Sequence, residues 1–209
     1  MSGNSMTPAR HKFFWVPNAM TFGRIAVIPV LMWSILAIGH TMDSVFNAPV
    51  LLLFLFIASA ITDALDGFFA RRWDLVSDFG RMIDPIADKL LVAGCFIALM
   101  MVYGPSWFIL IPATAIIFRD IFISGTREHA ANANIVLSPT TLAKWKTSIE
   151  MVAIGTLIVN ISMRTSHPFL DGIPNLLSIS TYLGIGSLWL AAILSIYTGL
   201  HYVKDAFRR

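Results

Sequence analysis

Several stretches of this chain approach or exceed the ~20 consecutive apolar residues that a helix needs to cross a bilayer, and no other feature constrains the fold as much. Inside lipid each backbone N–H and C=O must find its partner within the protein, which a helix provides along its own length. Composition agrees. Of 209 residues, 56% are hydrophobic and 13% charged, about half the charge of an ordinary soluble domain. Six spans can be drawn, at Pro17–Ile38, Ala48–Arg71, Gly80–Tyr103, Trp107–Glu128, Lys144–Ile161 and Leu176–Val203. Gly104-Pro105-Ser106 reads as a tight turn. The polar stretch His129–Thr141, with Ser138-Pro139, reads as a helix break. The first apolar run is too long for a removable leader, and no small-residue cleavage site follows it. The single Cys95 lies in an apolar run, where it reads as a small core residue.

Charge orients the bundle. Lys and Arg near span ends favour the cytoplasmic side. With the N-terminus inside and the spans alternating, Arg164 is the only one of the 15 Lys and Arg residues left outside. The expected fold is therefore an all-α integral membrane protein, a six-transmembrane-helix bundle with both termini cytoplasmic. Residues 1–16 form a polar juxtamembrane segment and residues 17–209 a single domain. A net charge of +3 is too small to argue for nucleic acid.

Aspartates interrupt this apolar pattern in a regular way. Asp63, Asp66, Gly67, Ala70 and Arg71 follow i, i+3, i+4, i+7, i+8 spacing and share one face of a helix. Gly80, Asp84 and Asp88 follow i, i+4, i+8 and share a face of the next. Arg72–Phe79 reads as the turn between them, so an antiparallel pair brings the two stripes face to face. A carboxylate at membrane depth costs on the order of 2.5–3.5 kcal/mol, and four of them need a strong compensating partner. Two divalent ions ~3.5–4 Å apart are the economical solution. Mg2+ takes carboxylate, water and phosphate oxygens, and Mn2+ fits similar ligands. Small residues at Gly67, Ala70 and Gly80 permit close helix approach, or let a nucleotide base lie against the backbone. Arg71, one turn beyond Gly67, suits a phosphate or pyrophosphate contact, although it also fits an interfacial anchor.

Together these residues spell D-x2-D-G-x2-A-R-x8-G-x3-D-x3-D, which resembles the motif of the CDP-alcohol phosphatidyltransferase family without departure. The resemblance implies a six-helix bundle in which Asp63, Asp66 and Asp84 hold two metal ions. It implies that Asp88 contributes a ligand and serves as general base. It also implies that Asp66, Gly67, Ala70, Arg71 and Gly80 receive the CDP moiety, and that the protein is a homodimer. Pro17-Asn18-Ala19-Met20-Thr21-Phe22-Gly23-Arg24 resembles the first-helix segment of the phosphatidylglycerophosphate synthases, where it adjoins the nucleotide, so Asn18 and Thr21 join that set. From physics alone the segment is equally a helix start with an interfacial Arg.

The acceptor is read from another segment. Arg119, Ile123, Thr126 and Arg127 share one helical face, and Lys144 and Lys146 open the next span at the same depth. Two arginines on one face suit an anion, because the guanidinium fork donates bidentate hydrogen bonds to phosphate. The positive-inside rule accounts for any two of these charges without a ligand. R-[DE]-x3-S-x2-R-E, followed by K-x-K-T at Lys144–Thr147, resembles the same synthase branch. That implies CDP-diacylglycerol and glycerol 3-phosphate as substrates, with Arg119, Arg127, Lys144 and Lys146 around the acceptor phosphate. The expected location is a bacterial inner membrane, with the site facing the cytoplasm. Other acceptors would make it a cardiolipin synthase or a phosphatidylinositol-phosphate synthase. A divalent-cation transporter would instead place its acids near the bilayer midplane on broken helices. The sixth span reads only as apolar bundle.

Overall fold

The computed structural model describes residues 15–40, 51–62, 78–132, 141–164 and 175–207. Among them are six helical segments and no strand. They are α1 (Trp15–His40), α2 (Leu51–Thr62), α3 (Asp78–Tyr103), α4 (Trp107–Asn132), α5 (Thr141–Arg164) and α6 (Leu176–Phe207). Three are long and apolar enough to cross a membrane, in α3, α4 and α6. A 26-residue helix such as α3 rises ~39 Å, more than the ~30 Å hydrocarbon core. With its described residues folded as helices of this length and apolarity, the protein is a helical integral membrane protein.

Several helix ends depart from the sequence expectation. His129–Asn132 continue α4 by a turn instead of opening a loop. Asp78 and Phe79 are already helical, and α5 and α6 also run past their expected ends, to Arg164 and Phe207. Polar residues at a helix end look like loop to a hydropathy argument, yet a helix leaving the bilayer can carry them into the interface. The expected helix beyond Thr62, the rest of the turn before Asp78, and residues 133–140 lie outside the described residues. The turn between α3 and α4 is as expected. Gly104 takes a positive φ of 71°, which glycine adopts without steric cost. The Ser106 carbonyl accepts from the Ile109 and Leu110 amides and so starts α4.

Contacts give the helix directions. Along α4 and α6, Phe108 meets Trp189, Arg119 meets Thr198 and Arg127 meets Tyr202, so these two helices run parallel. Along α5 and α6, Leu157 meets Gly184 and Asn160 meets Thr181, so these run antiparallel. The start of α3, the end of α4, the start of α5 and the end of α6 therefore share one end of the bundle.

Lipid is as apolar as leucine, so helices in a membrane are held by close packing and hydrogen bonds rather than by exclusion from water. Both are present. The interior is filled by Leu31, Ile35, Phe96, Leu99, Ile116, Ile154, Leu157 and Leu188, and Cys95 is buried among them as expected. Large apolar side chains also face outward, including Trp33, Phe54, Phe118, Phe122 and Leu190, as a lipid-facing surface requires. Glycine permits the closest approaches. A Cβ at Gly184 would lie 2.8 Å from Leu157, and one at Gly94 would lie 3.0 Å from the Met32 sulfur.

At the end away from the α4 and α6 C-termini, Asn160 is fully buried and joins three helices. Its Oδ1 accepts from the Tyr103 hydroxyl at 2.7 Å and from Arg164 Nε at 3.2 Å. Its Nδ2 lies within reach of Leu177 O, Ser180 Oγ and Thr181 Oγ1, and its two protons can serve two of these at once. The Arg164 guanidinium also covers the Tyr103 ring at 5.0 Å. Asn160→Ala should lower stability by about 1–2 kcal/mol, the scale of interhelical hydrogen bonds in membranes. Thermal unfolding in detergent measures this. An unchanged melting temperature would show that the network holds nothing together.

Candidate active site

The site is assembled where α3 begins, α4 ends, α5 begins and α6 ends. Asp88 is exposed on the second turn-pair of α3, one turn beyond Asp84. Gly80 and Asp84 belong to the same helix, and Asn18 and Thr21 to the opening turns of α1, but their side chains lie outside the described residues. Asp63, Asp66, Gly67, Ala70 and Arg71 lie outside them altogether. Among the described residues no three acidic, His or Cys side chains converge on one point. Of the expected ligands Asp88 is the acid with a described side chain, a carboxylate on an exposed face of α3. Hard oxygen donors of this kind fit Mg2+ or Mn2+, not the softer metals that thiolates select.

The basic residues expected around the acceptor phosphate are better defined. Arg119 is nearly enclosed, with 13% of its side chain exposed. Its Nη1 donates to Asp120 Oδ1 at 3.0 Å, and its Nη2 donates to Thr198 Oγ1 at 2.8 Å. Its Nε is buried with no hydrogen-bond partner among the described residues. The side chain lies across Gly199 of α6, where a Cβ would sit 3.1 Å from both Cγ and Nε. Any other residue at 199 would press on this arginine. Arg127, two turns along α4, is exposed. It donates to the Tyr202 hydroxyl at 3.1 Å and covers the Tyr202 ring at 5.1 Å. Ile123, between the two arginines, is buried as their shared face requires.

Lys146 is buried rather than presented to solvent. Its ammonium pairs with Asp120 and lies 3.0 Å from Glu150 Oε1, a charge contact without hydrogen-bond alignment. Asp120 thus ties two cations, Arg119 and Lys146, from two helices. The Lys144 side chain lies outside the described residues. Lys89 of α3 reaches across to α4 and donates to Ser124 Oγ at 2.7 Å.

Sequence reasoning missed several of these residues. The sixth span is more than apolar bundle, because Thr198, Gly199 and Tyr202 hold the two arginines. The available signal was a small or polar face at i, i+1, i+4 in an otherwise apolar helix. Glu150 was also legible, as an acid four residues after Lys146 inside an apolar span. Lys89 counted only as an orienting charge.

Comparison with known proteins gives the family. The family described as CDP-alcohol phosphatidyltransferase matches residues 14–197. A protein of Cereibacter sphaeroides named CDP-diacylglycerol–glycerol-3-phosphate 3-phosphatidyltransferase is 35% identical over 218 aligned positions, covering 91% of this chain and 95% of its own. One of the same name from Rickettsia bellii is 37% identical, covering 90% of this chain and 93% of its own. A protein of Oryza sativa named cardiolipin synthase (CMP-forming) is 32% identical, covering 96% of this chain but 60% of its own. With matches of this extent, and with acidic and basic residues gathered at one end of a membrane bundle, the chain belongs to the CDP-alcohol phosphatidyltransferase family.

Proposed function

We propose that this protein transfers a phosphatidyl group from CDP-diacylglycerol to sn-glycerol 3-phosphate, in the synthesis of phosphatidylglycerol and the lipids derived from it. The products are phosphatidylglycerol phosphate and CMP. The observation that carries this reading is the cation cluster on α4 and α5, next to the helix that bears Asp88. Relatives named for that reaction support it over nearly their whole length.

The acceptor's primary hydroxyl attacks the phosphorus that carries diacylglycerol, and the bond from that phosphorus to the CMP oxygen breaks. Asp88 takes the hydroxyl proton. Asp63, Asp66, Asp84 and Asp88 would hold two Mg2+ or Mn2+ ions, which would supply positive charge against the pyrophosphate and the departing phosphate. Asn18, Thr21, Asp66, Gly67, Ala70, Arg71 and Gly80 receive the CDP group. Arg127 and Lys144 meet the acceptor phosphate from the open side. Arg119 meets it from within, held in place by Asp120, and Lys146 completes the set through that same carboxylate. We read the bundle as six spans with cytoplasmic termini, with this end at the inner surface of a bacterial plasma membrane. Lipid tails then enter sideways from the bilayer while the soluble acceptor arrives from the cytosol. The protein works as a homodimer.

The rice relative supports a second reading, in which phosphatidylglycerol is the acceptor and cardiolipin the product. Purified protein supplied with CDP-diacylglycerol, Mg2+ or Mn2+, and either labelled glycerol 3-phosphate or phosphatidylglycerol separates the two. The expected labelled product is phosphatidylglycerol phosphate, and EDTA should abolish its formation until excess Mg2+ is restored. Cardiolipin alone would overturn the acceptor assignment. Full turnover after thorough chelation would overturn the metal-dependent mechanism.

A further inference from the structure

We infer that Tyr202 is a positioning residue for acceptor binding, the group on α6 that holds the guanidinium of Arg127 ready for the acceptor phosphate. The inference rests on the reading above, in which Arg127 meets that phosphate, and adds a residue to its site. Arg127 stands near the end of α4 and is exposed. A long exposed side chain has much rotamer freedom, and ordering it on binding weakens the complex. Here one neighbour orders it beforehand. The Arg127 Nη2 donates to the Tyr202 hydroxyl at 3.1 Å, and the guanidinium lies 5.1 Å from the centre of the Tyr202 ring, inside the ~6 Å reach of a cation–π contact. Tyr202 is itself only 5% exposed, so packing fixes the partner. Both contacts cross from α4 to α6, which ties the arginine to a second helix as well as its own.

Charge shows why the order of this arginine matters. Arg119 pairs with Asp120, and Lys146 pairs with Asp120 and lies 3.0 Å from Glu150 Oε1. Carboxylates of the protein thus answer both of those charges. Among the described residues no carboxylate pairs with Arg127. Tyr202 gives it a neutral hydroxyl and a ring face instead, which hold a guanidinium without cancelling its charge. A guanidinium has five donors in a rigid fork. The bond to Tyr202 takes one of them, and the fork keeps donors for phosphate oxygens. A carboxylate in place of the tyrosine would hold the arginine too, but it would compete with the phosphate for it. The tyrosine supplies order and leaves the charge to the substrate.

The test is steady-state kinetics with each substrate varied in turn, in single and double variants. Tyr202→Phe keeps the ring and removes the hydroxyl. It should raise the KM for glycerol 3-phosphate by about three- to tenfold, the worth of one ordinary hydrogen bond. Tyr202→Leu removes the ring as well and should raise it by about ten- to fiftyfold. The KM for CDP-diacylglycerol should stay within about twofold of wild type in Tyr202→Phe, because the proposed lipid-nucleotide contacts lie elsewhere. Arg127→Ala should raise the acceptor KM by about ten- to a hundredfold. Adding Tyr202→Phe to Arg127→Ala should then change it by less than about twofold, since the tyrosine acts through the arginine. If Tyr202→Phe does not accumulate as folded protein, Tyr202→Met takes its place in both chains, with the larger rise expected of Tyr202→Leu in the single variant. An unchanged acceptor KM in either single variant overturns the inference and leaves the reaction standing. So does an equal rise in both KM values, which would mark Tyr202 as a packing residue, or a full further rise in the double variant. A wild-type protein that makes no phosphatidylglycerol phosphate overturns the function and this inference with it.

Discussion

Asp88→Asn should lower kcat by about 10²–10⁴, the usual contribution of a positioned general base. The amide has the shape of the carboxylate but cannot take the acceptor's proton. Asp88 sits exposed on α3 beside the lysine that crosses to α4, so the substitution disturbs no core packing. Asp63→Asn, Asp66→Asn and Asp84→Asn should remove most activity too, but through weaker metal binding. The variants are told apart by measuring CDP-diacylglycerol binding beside turnover. Asp88→Asn should keep more of that binding than the other three. Turnover close to wild type in Asp88→Asn would remove it from the role of base.

Lys146→Met should destabilise the fold by about 3–5 kcal/mol, the scale for breaking a buried ion pair by removing one partner. Asp120 and Glu150 would then face each other without the cation between them, and the Glu150 side chain is 1% exposed. Water cannot reach that carboxylate to compensate. Adding Glu150→Gln to the same chain should recover part of the loss, because the uncompensated charge goes with it. Denaturation in detergent of the single and double variants measures both. Wild-type stability in Lys146→Met, with only the KM for glycerol 3-phosphate raised, would instead make Lys146 a direct phosphate ligand.

The sequence makes the helices legible because apolar runs of bilayer length leave few alternatives, and Gly104 marks its turn because few other residues accept that φ. Helix ends are harder. His129 and Asn132 are polar but helical in the structure, since hydropathy reports the surroundings of a residue and not its backbone. The roles of single cations are harder still. Arg119, Arg127 and Lys146 all read alike as basic residues at one depth. What separates them is the partner across the helix gap: a glycine and a threonine for the first, a tyrosine for the second, Asp120 for the third. No local pattern encodes those pairings, which depend on the mutual rotation of α4, α5 and α6. Asp120 shows the same limit. In the chain it is the acid after Arg119, and in the fold it is the link between two helices.

Gly199 has a consequence for how this protein responds to selection. In an isolated helix alanine is favoured over glycine by about 0.8–1.0 kcal/mol, so a search for heat-resistant variants would sample this position early. Here the added methyl group would push into the stem of Arg119, at 3.1 Å from two of its atoms. A gain in the rigidity of the last helix would then come with a displaced arginine on its neighbour. With Arg119 in its proposed role, robustness and acceptor recognition are opposed at this one backbone position, and a lineage that needs the phosphate contact has reason to tolerate the looser helix.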